Sequence, residues 1–175
     1  QEGSRQLSPA NRMAVASQYL NIEIQLALQS DDLEDLEHRI PLLDKILAEH
    51  ERETLTEVGI AILFNIALIE MGLGKLRDAL RRLARTDEYP ASIRDDIQAA
   101  SRLLRILLHI ELENESVVTS LVRAERRRRK GKPIEPDVDI LLSVASRYFT
   151  TTPGKQRTKL LRESLEKVEA LYAAP

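Results

Sequence analysis

Apolar residues recur along this chain at the three- and four-residue spacing of α-helices. The pattern predicts eight helices, at about residues 8–29, 31–50, 54–71, 75–85, 92–113, 115–129, 137–149 and 155–173. Ser8 and Pro9 form a typical helix start, because serine caps free N–H groups and proline suits the first helical position. Pro41 predicts a kink or a short break inside the second helix, since it lacks the N–H that a helix needs. The sequence therefore predicts an all-α fold.

Two kinds of helix alternate in this pattern. The segments at residues 54–71 and 92–113 are apolar almost all round, whereas the segment at 75–85 carries one stripe, made of Leu76, Leu80 and Leu83. A helix that is apolar on every side is covered on more than one face. We expect the broadly apolar helices to pack between neighbours and the single-stripe helices to lie outside them.

The predicted corners between paired helices are regularly spaced. They fall near Asp31, Gly74, Asn114 and Gly154, at intervals of 43, 40 and 40 residues. One helical hairpin in each period of about 40 residues is typical of an α-solenoid. The sequence therefore predicts a single domain over residues 1–175, made of four antiparallel hairpins at about residues 8–50, 54–86, 91–130 and 135–173.

The second hairpin, "FNIALIEMGLGKLRDALRRL", resembles a tetratricopeptide repeat. The family's aromatic-Asn-Leu-Gly block corresponds to Phe64, Asn65, Ile66 and Ala67, its corner glycine to Gly74, and its second small residue to Ala79. Gly74 is expected to have a positive φ and to end the third helix. Ala67 and Ala79 are expected to lie where the two helices approach most closely. At an offset of 40 residues, Leu107 and Thr119 replace this small pair.

This resemblance implies a right-handed superhelix whose first helices line a concave groove. The matching positions are Ala61, Phe64, Leu68 and Met71, which form an apolar face. That face either receives a partner helix or peptide or is covered by neighbouring repeats. The pattern is also similar to C-terminal helical-repeat segments of uncharacterised multi-repeat bacterial proteins, which implies a protein-binding scaffold and no catalytic residues or cofactor.

Composition agrees with helices and narrows the function classes. Hydrophobic residues make up 43% of the chain and aromatic residues only 3%, so the core is expected to be aliphatic. The absence of cysteine excludes disulfide frameworks and thiol chemistry and fits a cytoplasmic location. No apolar run approaches the roughly 20 residues that span a bilayer. Because the chain starts at Gln1, we interpret it as a segment of a longer protein.

Charge is distributed unevenly. Residues 1–60 carry a net charge of −7, residues 61–119 carry −1, and residues 120–175 carry +6. The stretch "RAERRRRKGK" at residues 123–132, here called the basic segment, holds seven cations: Arg123, Arg126, Arg127, Arg128, Arg129, Lys130 and Lys132. The basic segment has three possible interpretations. It is a solvated helix end, it is a contact for an acidic protein or for a second copy of the chain, or it is a nucleic-acid patch. Without interleaved aromatic residues it is unsuited to base stacking, which favours a protein partner.

Other candidate chemistry has simpler explanations. The Gly-x-Gly-Lys at residues 72–75 lacks the preceding strand, the glycine spacing and the Ser/Thr of a phosphate-binding loop. His38, His50 and His109 lie on different predicted helices, and none has a second histidine at metal-binding spacing. Asp95, Asp96, Asp137 and Asp139 lie at helix starts, where capping accounts for them. The sequence therefore favours a non-enzymatic protein.

Overall fold

The structure is a computed structural model that describes residues 15, 19, 37, 38, 40–51 and 57–173. Within these residues it is all-helical and contains no strand. The helices are α1 (Ile40–Glu51), α2 (Glu57–Gly72), α3 (Leu76–Arg85), α4 (Asp95–Glu111), α5 (Glu115–Arg128), α6 (Pro136–Tyr148) and α7 (Lys155–Tyr172). A 3₁₀ turn, Thr86–Glu88, follows α3. The all-α class is confirmed, and most of the helix predicted at residues 8–29 lies outside the described residues.

The chain divides into two compact units, Gln1–Ser101 (unit 1) and Arg102–Pro175 (unit 2). The division falls inside α4, whose first turns belong to unit 1 and whose later turns belong to unit 2. Neither the single domain over residues 1–175 nor the stacking of its hairpins is tested by this division, so both stay predictions.

The predicted interruption near Pro41 is confirmed. Glu37 is helical, His38 is in a turn, and α1 begins at Ile40. Pro41 is thereby placed in the first turn of a new helix, where its missing N–H has no intrahelical partner to lose.

The corner at Gly74 is a Schellman motif. The N–H of Lys75 donates to the carbonyl of Glu70 at 2.7 Å, and the N–H of Gly74 donates to the carbonyl of Met71 at 3.0 Å. Gly74 has φ +72°, the left-handed conformation that closes such a cap. Both parts of the expectation are confirmed: Gly74 has a positive φ, and α2 ends beside it.

The same cap recurs in the next hairpin. The N–H of Asn114 donates to the carbonyl of His109 at 2.9 Å, and that of Glu113 donates to Ile110 at 3.0 Å. Here Glu113 takes the left-handed position, with φ 55°. The two left-handed residues are therefore 39 positions apart, one fewer than the sequence predicted. The corner at Gly154 has a different conformation, with φ 81° and ψ −132° as the residue that precedes α7.

The core of unit 1 is built around α2, which is apolar on all sides. Ile60, Leu63, Ile66 and Ile69 are fully buried, together with Leu43 and Leu47 of α1. Ala67 and Ala79 are also buried, as expected for the closest approach of α2 and α3. Tyr89, which follows the 3₁₀ turn, closes this core.

The core of unit 2 is smaller. Its buried residues come from the second half of α4, from α5 and from α6: Ile106, Ile110, Val118, Val122, Val138, Leu142 and Ala145. Ile106 and Val118 lie 39 residues after Ala67 and Ala79 and are equally buried. Leu107 and Thr119, which the 40-residue offset selected as the equivalent pair, are exposed. The equivalence was therefore wrong by one residue, which rotates a helical position by about 100°.

Candidate functional site

Unit 2 has several exposed apolar side chains. Among the residues that the structure describes, large hydrophobic side chains are exposed in unit 2 at Leu107, Val117, Ile134, Leu161, Leu165, Leu171 and Tyr172. Those described in unit 1 are Val15, Tyr19 and Leu42. Single exposed apolar residues are ordinary on a protein surface, but neighbouring ones that line a depression indicate a contact site.

An apolar groove of about 330 Å³ lies in unit 2, here called the unit-2 groove. Three helices line it: Leu103, Leu107 and Ile110 on α4; Val138, Ile140, Leu141 and Val144 on α6; and Leu165 and Val168 on α7. Leu107 is 42% exposed and Leu165 is 57% exposed, so both present apolar surface to solvent. Asp137 and Ser164 are its polar lining residues. The groove can accommodate a row of apolar side chains from a partner. Its lining residues provide no set of groups for covalent chemistry.

The apolar stripe of α7 is mostly exposed beside the groove. Leu161, Leu165, Val168 and Tyr172 form one stripe, yet Leu161, Leu165 and Tyr172 are exposed, and Leu160 is the residue that α7 buries. An apolar stripe usually marks the face that a helix turns toward its neighbours. In α7 most of that stripe is left free.

A hydrogen bond joins the two helices at the rim of the groove. The hydroxyl of Tyr172 donates to Oδ2 of Asp137 at 3.0 Å, which ties the end of α7 to the first turn of α6. This bond raises the pKa of Tyr172 above its usual value. Tyr172 thus keeps its ring beside the groove while its hydroxyl is satisfied.

Aromatic and charged contacts fix the other end of α7. The Arg157 guanidinium lies 4.5 Å from the ring centre of Tyr148, a cation–π distance. Its Nη1 lies 3.4 Å from Oε1 of Glu113, the left-handed residue of the second corner. Contacts at both of its ends thus join α7 to α6 and to the second corner.

The basic segment lies next to the groove. Arg129 donates to Glu125 at 2.8 Å and to Glu135 at 2.5 Å, and Arg102 of α4 donates to Glu125 at 3.2 Å. Glu135 directly precedes α6, whose first turn supplies Asp137 and Val138 to the groove. Arg129 of the basic segment therefore contacts the residue that precedes α6, the helix whose first turn lines the groove.

The structure separates the seven predicted cations into two groups. Arg129 is partly buried and neutralised by the two glutamates, which the sequence interpretation missed although Glu125 and Arg129 have the i, i+4 spacing of a helical ion pair. The others are exposed: Arg123, Arg126, Arg127, Arg128, Lys130 and Lys132. Within the described part of the chain, no carboxylate lies within ion-pair distance of these six.

The apolar face that the sequence selected lies in unit 1. Ala61 and Phe64 line a second cavity of about 330 Å³, which the ion-paired Arg94 and Asp96 also border. Leu68 and Met71 are partly buried and do not line it. The two roles predicted for this face, receiving a partner and being covered by neighbouring repeats, stay predictions.

The Gly-x-Gly-Lys at residues 72–75 serves the helix corner. The N–H groups of Gly74 and Lys75 already donate to carbonyls of α2. The Lys75 ammonium bonds Glu37 at 2.5 Å. Both the backbone donors and the cation that a phosphate would need are thus occupied within unit 1.

The described residues contain no group of three or more His, Cys, Asp or Glu side chains that could hold a metal ion. His109 is partly buried beside the corner, with its Nδ1 3.1 Å from the side-chain nitrogen of Asn114, and burial lowers its pKa. His38 is exposed, and the side chain of His50 lies outside the described residues.

No described helix combines the length and the apolar composition that crossing a bilayer requires. No family model, curated protein or solved structure matches the chain.

Proposed function

We propose that this chain is a non-enzymatic protein-interaction module whose unit-2 groove binds an amphipathic helix of a protein partner. The observation that carries the proposal is the groove itself, an apolar depression that three helices line and that exposes Leu107 and Leu165. Helix-in-groove recognition uses apolar residues at i, i+3, i+4 and i+7 as anchors. The α4, α6 and α7 side chains offer a surface of this kind.

Magnitudes agree with binding of this type. Full burial of a leucine side chain is worth about 1.5–3 kcal/mol, so covering the exposed fractions of Leu107 and Leu165 contributes on the order of 2 kcal/mol. The contacts at both ends of α7 hold this helix against α6, which reduces the conformational entropy that α7 loses on association.

We also propose that the hairpins stack as a right-handed, tetratricopeptide-like solenoid. The recurrence of the Schellman corner at Gly74 and Glu113 supports this architecture, as does the 39-residue equivalence of the buried pairs Ala67/Ala79 and Ile106/Val118. Lack of cysteine fits a reducing compartment such as the cytoplasm.

The test is selection from a displayed library of helical peptides against the full chain. We expect enriched peptides to carry apolar residues at i, i+3 or i+4, and i+7. Their binding should be lost on the Leu107→Glu and Leu165→Glu variants, both at exposed positions that tolerate a polar group. Leu42→Glu, at an exposed apolar position of unit 1, is the matched control and should keep binding. Peptides that bind all three variants equally would contradict the proposed site.

Nucleic-acid binding through the basic segment is a second candidate, favoured by the exposure of six of its cations. A protein that neutralises phosphates loses affinity steeply as salt rises. RNA binding that disappears in a variant with Arg126, Arg127 and Arg128 changed to Ser, and that falls steeply with salt, would support this candidate over the first.

A further inference from the structure

An exposed apolar row also exists at the opposite end of the chain. Val15 and Tyr19 are both helical, one turn apart, and are 58% and 60% exposed. In the sequence this row continues with Ile22 and Leu26, at the spacing of the anchors that a helix presents to a groove. Val15 and Tyr19 thus present apolar surface to solvent in the folded chain.

The charges near the apolar row and near the unit-2 groove are opposite in sign. The row is followed at residues 31–37 by "DDLEDLE", which holds five carboxylates. On the other side, the basic segment carries six exposed cations, and its Arg129 bonds Glu135, the residue that precedes α6. The N-terminal segment thus combines apolar residues with acids, and unit 2 combines an apolar groove with cations. The net charges of −7 for residues 1–60 and +6 for residues 120–175 give the same complementarity over a longer range.

We infer that the unit-2 groove of one chain receives the N-terminal segment, residues 8–37, of a second copy of this chain. The row that begins at Val15 and Tyr19 covers Leu107 and Leu165, and the acids at residues 31–35 approach Arg126, Arg127 and Arg128. This inference rests on the helix-binding function proposed above and names its partner. The contact joins two different surfaces, so it is heterologous and lets chains assemble head to tail.

Two variants separate this arrangement from other modes of self-association. Leu165→Glu places a carboxylate in the groove and leaves the N-terminal segment unchanged. Tyr19→Glu places a carboxylate in the apolar row and leaves the groove unchanged. Both positions are exposed, so neither change disturbs a core. Leu42→Glu is the control at an exposed apolar position outside both surfaces.

Sedimentation velocity of the chains spanning residues 1–175 at low salt gives the readout. We expect the wild type and Leu42→Glu to associate with rising concentration, and Leu165→Glu and Tyr19→Glu each to stay monomeric. An equimolar mixture of these last two should form a 1:1 dimer that grows no further, because only one groove and one apolar row remain functional. Replacing Arg126, Arg127 and Arg128 with Ser should weaken wild-type association by about tenfold and reduce its salt dependence.

A wild-type chain that stays monomeric up to millimolar concentration would overturn the inference. If selected library peptides still bound the groove in that case, the proposed function would stand and only the partner would be wrong. Association that Leu165→Glu abolishes and Tyr19→Glu leaves unchanged would also overturn it, since the contact would then be groove to groove.

Cross-linking provides a second readout, because the native chain has no cysteine. A chain carrying Tyr19→Cys and a chain carrying Leu165→Cys should cross-link to each other with a short bifunctional maleimide. Replacing the second partner with one carrying Glu166→Cys, which lies on another side of α7, should reduce the yield severalfold. Equal yields from the two partners would contradict the proposed contact.

Discussion

Gly59 makes room for the hydroxyl of Tyr89: a Cβ atom placed on Gly59 would lie 2.5 Å from that oxygen and 3.3 Å from the ring carbon that bears it. Gly59 is inside α2, where glycine is otherwise a poor residue, and Tyr89 is buried at the edge of the unit 1 core. The glycine therefore fits a position where a Cβ atom would clash, and the pair joins α2 to the segment that follows the 3₁₀ turn.

Gly59→Ala is expected to destabilise the chain. Overpacking costs about 1–3 kcal/mol, and the gain in helix propensity returns at most about 1 kcal/mol. Chemical denaturation of Gly59→Ala, Tyr89→Phe and the double variant measures the coupling. The double variant should be more stable than the two single changes added together, and strict additivity would show that the hydroxyl does not cause the strain.

The Gly74 corner predicts opposite effects for two neighbouring glycines. Gly74→Ala should cost about 1–2 kcal/mol, because an L-residue is strained at φ +72° even though no atom lies within 4 Å of the new Cβ. Gly72→Ala, in the last turn of α2, is the matched control and should be neutral or stabilising by up to about 1 kcal/mol. Equal melting temperatures for the two variants would contradict the corner geometry.

Arg129 and Arg127 are close in sequence but differ in role. Arg129→Ser should destabilise the chain by about 1–3 kcal/mol, since buried Glu125 loses one of its two charged donors and keeps Arg102. Arg127→Ser, at an exposed position, should change stability by no more than about 0.5 kcal/mol. Urea denaturation of both variants checks the difference, and equal stabilities would show that the Glu125 ion pairs do not stabilise unit 2.

Glu70 makes the stability of the folded chain depend on pH. Its Oε1 accepts from Arg82 at 3.2 Å, while its Oε2 is buried with no hydrogen-bond partner. Burial is the main reason that its pKa is raised above 4.5. The folded chain therefore binds this proton more tightly than the unfolded chain, and its contribution to stability falls as pH rises above that value.

Glu70→Gln removes this titration and keeps the shape of the side chain. We expect its stability relative to the wild type to improve from acidic to neutral pH, as measured by urea denaturation at several pH values. Asp96→Asn is the contrasting control. Hydrogen bonding to Arg94 lowers the pKa of Asp96 to about 2, so the wild-type contribution there is present above pH 3.8 and lost as pH falls toward 2. If the stabilities of the two variants relative to the wild type changed with pH in the same direction, the opposite pKa shifts of Glu70 and Asp96 would be contradicted.

Helix positions and the first corner follow from local sequence signals. Gly74 is a glycine at a helix end, and the apolar periodicity of α2 and α3 is strong, so the hairpin could be predicted. The second corner could not be located exactly, because Glu113 takes a left-handed conformation that glycine usually marks. That one-residue error exchanged the buried Ile106 for the exposed Leu107 as the partner position of Ala67.

The candidate groove could not be predicted from periodicity. The pattern shows that one face of α7 is shared by Leu161, Leu165, Val168 and Tyr172. It does not indicate whether other helices cover that face. Most of the stripe is exposed in the structure, with Leu160 buried instead. The apolar face predicted from the family resemblance lies on α2 in unit 1 and stays a prediction.

Methyl NMR of the chain spanning residues 1–175 with a peptide selected from the helical library tests the binding claim most directly, since leucine and valine methyls report from both surfaces. With the unit-2 groove as the binding site, peptide addition should shift the methyl signals of Leu107, Val138 and Leu165 and leave that of Leu68 unchanged. Shifts at Leu68 and its neighbours on α2, with the groove signals unchanged, would contradict the account and place binding on the face of unit 1.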